Sequence, residues 1–239
     1  MDFVALISGG KDSLFAAYHM VSQGWSLRAF LTVKPAETES FMFHTINLGI
    51  VRYQAEAAGL PLLELRAAAG KEAEVEGFTA GLAALSKSHG FDAVVNGGVS
   101  SEYQRRRMDR ACSDSGLKSF SPLWHVDPVK LLNNYLDCGF KFIMSGVYAM
   151  GLDSSWLGHV ISANDVERLA RLNSRYGVSV VGEGGEYESA VLDCPLFRNA
   201  LRLKGSVSPG LNRSEFRVSS ILLASKSSEP LVTIEPPQF

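Results

Sequence analysis

Phe3-Val4-Ala5-Leu6-Ile7-Ser8-Gly9-Gly10-Lys11-Asp12-Ser13 is the stretch on which the fold of this chain turns. Its apolar start reads as a buried strand. Leu14, Ala17, Tyr18 and Val21 then follow at helical spacing, and Gly24 stops that helix. A strand that runs through Ser-Gly-Gly-Lys-Asp-Ser into a helix is a phosphate cradle. Gly9 and Gly10 let the backbone turn its N–H groups toward an anion, Ser8 and Ser13 add hydroxyl donors, and the helix points its positive end at the same spot. Lys11 supplies a mobile positive charge. Asp12 places a carboxylate beside phosphates, which is repulsive unless a cation lies between them, so Asp12 reads as a Mg²⁺ ligand. The ordinary P-loop does not fit, because it needs glycine in place of Ala5 and Ser or Thr in place of Asp12. The dinucleotide fingerprint Gly-x-Gly-x-x-Gly is absent here as well.

Working outward, the first half repeats one pattern of apolar run, loop, amphipathic helix and glycine. Strands are predicted at 27–33, 62–65 and 91–95. One helix between them presents Ile46, Ile50, Tyr53 and Ala57 and ends at Gly59; another presents Val75, Phe78, Leu82 and Leu85 and ends at Gly90. This alternation implies right-handed crossovers and a parallel sheet covered on both faces. Such sheets bind ligands at the carboxyl ends of their strands, and the loops after Ile7, Val33 and Val95 hold the unusual residues. Near Trp124 the rhythm loosens. Asp127-Pro128 starts a helix that Gly139 ends, 141–147 reads as a strand, and Ser162 with Asp165 opens a helix closed by Gly177. Strand-like runs at 201–207 and 216–223 follow. The expected division is an ATP-binding domain over 1–123 and a smaller α+β, substrate-binding domain over 124–239.

The 239 residues are 46% apolar with a net charge of −2, a globular balance that gives no sign of an obligatory nucleic-acid partner. The start is unlike a signal peptide and no apolar run reaches membrane-span length, so a cytoplasmic protein with no membrane partner is expected. Cys112, Cys138 and Cys194 form neither a CxxC pair nor a disulfide framework and read as reduced, mostly buried residues.

A second dense motif is Glu183-Gly184-Gly185-Glu186-Tyr187-Glu188-Ser189, after the apolar run Val178-Ser179-Val180-Val181, read as a strand. If Glu186-Tyr187-Glu188 is extended, its two carboxylates share one face and the tyrosine takes the other. Three acids beside an apolar strand repel one another unless a proton or a cation intervenes.

Ser8-Gly9-Gly10-Lys11-Asp12-Ser13 resembles the signature of the PP-loop ATP pyrophosphatases, which cut ATP into AMP and pyrophosphate. The acidic motif, followed by Val191-Leu192-Asp193-Cys194-Pro195-Leu196-Phe197, resembles the second motif of the diphthine–ammonia ligase family. Phe43-His44-Thr45-Ile46-Asn47, Ser101-Glu102-Tyr103-Gln104-Arg105-Arg106-Arg107 and Ser121-Pro122-Leu123-Trp124 agree with it. The chain departs from the family pattern at Ile46, usually proline, at Ser189, more often threonine, and at Cys194, more often glycine or alanine.

The resemblance implies a Rossmann-like PP-loop domain with a five-stranded parallel sheet, and an ATP- and Mg²⁺-dependent ligase that adenylates the carboxylate of diphthine on elongation factor 2 and transfers ammonia from free ammonium. Lys11, Asp12, Glu183 and Glu186 are then the expected catalytic residues. Ser8, Gly9, Gly10, Lys11, Asp12 and Ser13 hold the phosphates, and adenine rests near Leu6, Val33 and Gly97. Gly184, Gly185, Glu186, Tyr187 and Glu188 grip the substrate, Tyr187 through a cation–π contact with its quaternary ammonium. His44 either reaches the phosphates or is a structural loop residue. Arg105, Arg106 and Arg107 fan around a helix, so one of them, taken as Arg105, meets pyrophosphate while at least one is solvated. Nothing in the sequence excludes a homodimer. Two alternatives stand beside the ligase: a PP-loop enzyme that modifies transfer RNA, and a module that senses adenine nucleotides without turnover.

Overall fold

A computed structural model of the chain describes residues 1–34, 48–66, 71–210, 213–227 and 229–236. The expectations placed on His44 and Ile46, and on the side chain of Val75, lie outside the described residues. The chain divides into two compact units, Met1–His125 and Val126–Phe239.

In the first unit, β1 (Asp2–Leu6), β2 (Ser26–Lys34), β3 (Leu62–Arg66), β4 (Ala93–Val95) and β5 (Lys118–Phe120) form one parallel sheet in the order β3-β2-β1-β4-β5. The helices α1 (Lys11–Ser22), α2 (Leu48–Ala58), α3 (Lys71–His89) and α4 (Glu102–Asp114) make the crossovers. Val4, Leu31, Val33, Leu63 and Val94 share a core with Phe78 and Leu82 of α3 and with Met108, Ala111 and Cys112 of α4. Phe3, Ala5, Phe30 and Val95 turn to the opposite face and are equally buried, as expected of a sheet covered on both sides. Chain order reverses between β1 and β4, and the crevice at the carboxyl ends of those strands is where such folds place ligands.

On α2 the expected apolar face needs correction. Ile50 and Ala57 are buried as expected, together with Val51, Ala55 and Ala58, but Tyr53 is exposed and Gln54 is wholly buried. Three residues on from Ile50 is Tyr53 and four on is Gln54. Both spacings satisfy helical periodicity, and the structure uses the second.

In the second unit, β6 (Lys141–Val147), β7 (Tyr187–Asp193), β8 (Ala200–Ser208), β9 (Ser214–Ala224) and β10 (Val232–Ile234) form a mixed sheet in the order β10-β8-β9-β6-β7. Its pairs are antiparallel except β10 with β8. The Asp127 carboxylate accepts from Lys130 N–H to start α5 (Pro128–Asp137). Ser162 and Asp165 form a reciprocal capping box at the head of α6 (Ala163–Tyr176), which Gly177 ends in the left-handed conformation. The predicted strand over 178–181 is absent: those residues form a loop and turn leading to Gly182, and the strand begins at Tyr187. No helix among the described residues is long and apolar enough to cross a membrane.

Cys112 and Cys194 are buried, and burial pushes both thiols up to about 12. An unfolded chain ionises them near pH 9 while the folded chain keeps the protons, so their contribution is complete below that pH and declines toward pH 12. Urea midpoints should therefore fall between about pH 8 and about pH 10.5, and fall less in a Cys112→Ala/Cys194→Ala variant. Equal slopes would count against the raised thiols. A methyl group on Gly97 would stand 2.5 Å from Ser13 N and 2.6 Å from the Asp12 carbonyl carbon, backbone atoms that have no room to yield. Gly97→Ala is expected to destabilise by about 1–3 kcal/mol in denaturant titration. Gly49→Ala, where nothing lies within 4 Å, should change stability by less than about 1 kcal/mol.

Candidate functional site

The first candidate site is the turn between β1 and α1. Ile7 N–H still bonds to Leu31 O at 2.8 Å, after which the chain leaves the sheet. Gly9 adopts φ +91°, a conformation open to glycine, and Gly10 is extended at the head of α1. Ser13 ties the turn together: its Oγ donates to Gly10 O at 3.1 Å and accepts from Ser8 N–H at 3.4 Å. Ser13 Oγ thus braces the turn from within. Gln54 Nε2 donates to Gly9 O at 3.0 Å from the buried face of α2. Gly97, at the end of β4, abuts the Asp12–Ser13 peptide from another side.

Lys11 is 2% exposed, with Nζ 2.9 Å from Asp12 Oδ2. It is a fixed, enclosed charge, which corrects the expectation of a mobile one; a buried ammonium needs such a partner. Asp12 itself is partly open, at 28%. For Mg²⁺ the turn offers one carboxylate, and among the described residues no group of three His, Cys, Asp or Glu side chains is arranged to hold a metal. A single carboxylate suits magnesium, which takes its other ligands from substrate phosphates and water.

Of the expected adenine neighbours, Leu6 is partly buried against the core and Val33 lies within it. Val33 can thus offer a ligand only its backbone. Asn96, which the sequence reading passed over, is buried at the end of β4. Its Oδ1 accepts from Gly98 N–H at 3.0 Å and from Ser121 Oγ at 2.9 Å, while Nδ2 is enclosed without a partner among the described residues. The signal was an asparagine ending an otherwise apolar strand. On α4 the three arginines diverge as helical geometry requires. Arg105 lies over the Trp124 ring at 4.6 Å, Arg106 pairs with Glu102 at 2.8 Å, and Arg107 lies over Tyr103 at 4.0 Å. That pair with Arg106 holds the exposed Glu102 carboxyl below the usual range.

The second candidate site is in the second unit. Gly182 and Gly185 have φ of +72° and +83°, and they fold residues 182–186 into a tight turn. Glu186 bends back over Gly184, its Oε1 accepting from Ser179 N–H at 3.2 Å while Oε2 is enclosed without a partner among the described residues. Glu183 N–H meets Ser179 Oγ at 3.4 Å. Glu186, just before β7, and Glu188 within it are half-buried, and Tyr187 between them is buried. Tyr187 is only 3% exposed, its ring packs on Gly182, and its hydroxyl donates to Val180 O at 2.8 Å. That enclosure leaves no ring face for a substrate cation, which corrects the expectation for this residue.

The aromatic ring beside these carboxylates is instead Tyr148. Gly146 on β6 pairs with Glu188 of β7 on one side and Glu215 of β9 on the other, so both acids flank it on one face. Tyr148 folds its hydroxyl back over Gly146, within 2.0 Å of where a Cβ would stand. Burial, then the negative charges of Glu215 and Glu188, push this phenol up to about 12, against the pull of Arg213. Arg213 lies 5.2 Å over the ring and bonds Glu215 at 2.8 Å. Tyr148, Arg213 and Glu215 carry no motif, and only strand register brings them to Glu188.

Comparison with known proteins matches residues 1–119 to the family model described as diphthamide synthase N-terminal domain, and residues 127–220 to the diphthamide synthase C-terminal domain. A Danio rerio protein named diphthine–ammonia ligase is 35% identical over 220 residues, covering 84% of this chain and 86% of that protein. A Schizosaccharomyces pombe protein of the same name is 35% identical over 219 residues, 85% of this chain; the chain spans only 36% of that relative's length. A solved structure described as a predicted subunit of tRNA methyltransferase from Methanocaldococcus jannaschii aligns at TM-score 0.43 and 15% identity, over 82% of this chain and 98% of that one, too distant to carry an argument. With both of its domain models matched in order along the sequence, the chain belongs to the diphthamide synthase family.

Proposed function

We propose that the chain is an ATP-dependent amide ligase acting on elongation factor 2: it adenylates the carboxylate of diphthine, and ammonia then displaces AMP to give diphthamide. The observation that carries this reading is the Ser8–Ser13 turn at the reversal of strand order. Its backbone is held on three sides, by Ser13, Gln54 and Gly97, before any ligand arrives. A preorganised turn at a helix N-terminus suits a reaction at phosphorus, where positioning and charge neutralisation supply most of the catalysis.

In this reading Gly9, Gly10 and the first turn of α1 receive the phosphates, with Lys11 as a fixed positive charge beneath them. Asp12 is the residue that would hold Mg²⁺, and a bound Mg²⁺ supplies neutralisation of phosphate charge. The diphthine carboxylate attacks the α-phosphorus, the bond to the β-phosphate oxygen breaks, and pyrophosphate leaves with the electron pair. Ammonia then attacks the acyl carbon and AMP departs. Since ammonia is mostly ammonium near neutral pH, a base must remove a proton. Glu186 suits that task because its Oε1 is held by Ser179 N–H while Oε2 has no partner among the described residues. Glu183 and Glu188 complete the acidic segment that grips the substrate's cation. Free ammonium is the nitrogen source in this scheme, and the reaction is cytoplasmic.

Incubation with ATP, Mg²⁺, ammonium and diphthine-bearing elongation factor 2 should yield AMP, pyrophosphate and the amide mass change together; ADP as the product would refute the scheme. Asp12→Asn should slow AMP release roughly a hundredfold or more. Glu186→Gln keeps an oxygen for Ser179 N–H but replaces the other with an amide nitrogen. It should slow amide formation by about 10²–10⁴-fold with melting temperature preserved. Unchanged amide formation at both limiting and saturating ammonium would remove Glu186 from this role.

A further inference from the structure

We infer that Gln54 is a positioning residue for the nucleotide turn: by holding the Gly9 carbonyl it fixes the peptide that aims Gly10 N–H at the ligand. The inference rests on the reading of the turn as the ATP site. Among the described residues there is no cis peptide bond, so Gly9 C=O and Gly10 N–H, which belong to one peptide plane, point in opposite directions. Gln54, wholly buried on α2, binds that carbonyl at 3.0 Å. Gly10 N–H is therefore turned away from α2. Gly9 is buried and Gly10 half-exposed, so the outward side of this peptide is the side a ligand reaches.

The peptide needs a latch because of the residues that flank it. Between two glycines a peptide plane can rotate by half a turn, since neither residue has a Cβ to forbid the new φ or ψ. Rotation would present Gly9 O, a partial negative charge, to the phosphates. The same pair of glycines that lets the turn wrap an anion also leaves its central dipole free to reverse. A side-chain amide suits the latch: it carries no net charge to bury, and its Nε2 donates to a carbonyl where a carboxylate would repel it. Ser13 cannot do this work, because its contacts are to Gly10 O and Ser8 N–H on either side of the peptide in question.

The test compares ATP affinity by calorimetry in the unaltered chain, Gln54→Leu and Gln54→Glu, with circular dichroism and melting recorded under each condition. Gln54→Leu should weaken ATP roughly tenfold, the worth of a hydrogen bond of ordinary strength. Gln54→Glu should make the defect pH-dependent. A buried glutamic acid titrates above the ordinary carboxylate range, and only its protonated form donates to Gly9 O. Its affinity relative to the unaltered chain at the same pH should approach unity near pH 5.5 and fall roughly tenfold near pH 8.5. The dichroism should stay unchanged. The Gly10 amide resonance, shifted by ATP in the unaltered chain, should shift less at the higher pH. If both variants bind ATP as the unaltered chain does at both pH values, Gln54 has no such role. Loss of dichroism in step with binding also overturns the inference, because Gln54 is then a residue of the fold alone. An unaltered chain that binds no ATP overturns the reading of the turn, and this inference with it.

Discussion

Gly97 and the Asp12–Ser13 peptide approach so closely that a methyl group would stand 2.5 Å from a backbone nitrogen. This contact joins the loop after β4 to the first turn of α1 across the reversal of strand order. Much of the first unit's geometry depends on it. The crevice of a doubly wound sheet opens where neighbouring strands send their helices in different directions, and it becomes a site only if its walls are close and rigid. Here glycine removes the side chain that would hold the walls apart. Asn96 then pins the same loop, accepting from Gly98 N–H and from Ser121 beyond β5.

Charge in the turn follows from that closeness. A lysine 2% exposed has lost its hydration and must recover the energy from a partner, which Asp12 supplies at 2.9 Å. The two charges of the pair offset each other, and Asp12 keeps part of its surface open. A surface lysine would give longer reach but pay more entropy on ordering. An enclosed one gives a charge whose position the fold determines.

Most of the first sheet is legible because β1 and β4 are largely apolar runs and the helices α1, α2 and α3 stop at Gly24, Gly59 and Gly90, all of positive φ, whereas β5, Lys118-Ser119-Phe120, has no apolar run to mark it. The turn was legible because strand, Ser-Gly-Gly-Lys-Asp-Ser and helix occur in immediate succession. The misreadings have physical causes. Residues 178–181 carry three valines, the composition of a strand, but Gly182 turns the chain before a ladder can form. Composition reports burial and leaves pairing undetermined. Tyr187 turns to the core; period-two alternation does not say which face of a strand is buried. Gln54 was hidden because a polar residue on a helix is assigned to water by default, and its partner, a backbone carbonyl 45 positions away, leaves no mark in sequence.

The second unit shows how register can do what a motif does in the first. A bulge at Ser145 lets Met144 pair with Ser189 and Gly146 with Glu188, so the acids on either side of β6 meet over a residue with no side chain. Tyr148 fills that space from two residues along, and burial, then the negative charges of Glu215 and Glu188, keep its phenol protonated. Arg213 lies 5.2 Å over the ring and bonds Glu215 at 2.8 Å, so a guanidinium of the chain itself offsets the two acids there. Tyr187 sits inside the acidic motif, yet its ring turns to the core. Tyr148, outside that motif, comes to stand beside Glu188 because strand pairing, and not proximity along the chain, decides which ring is its neighbour.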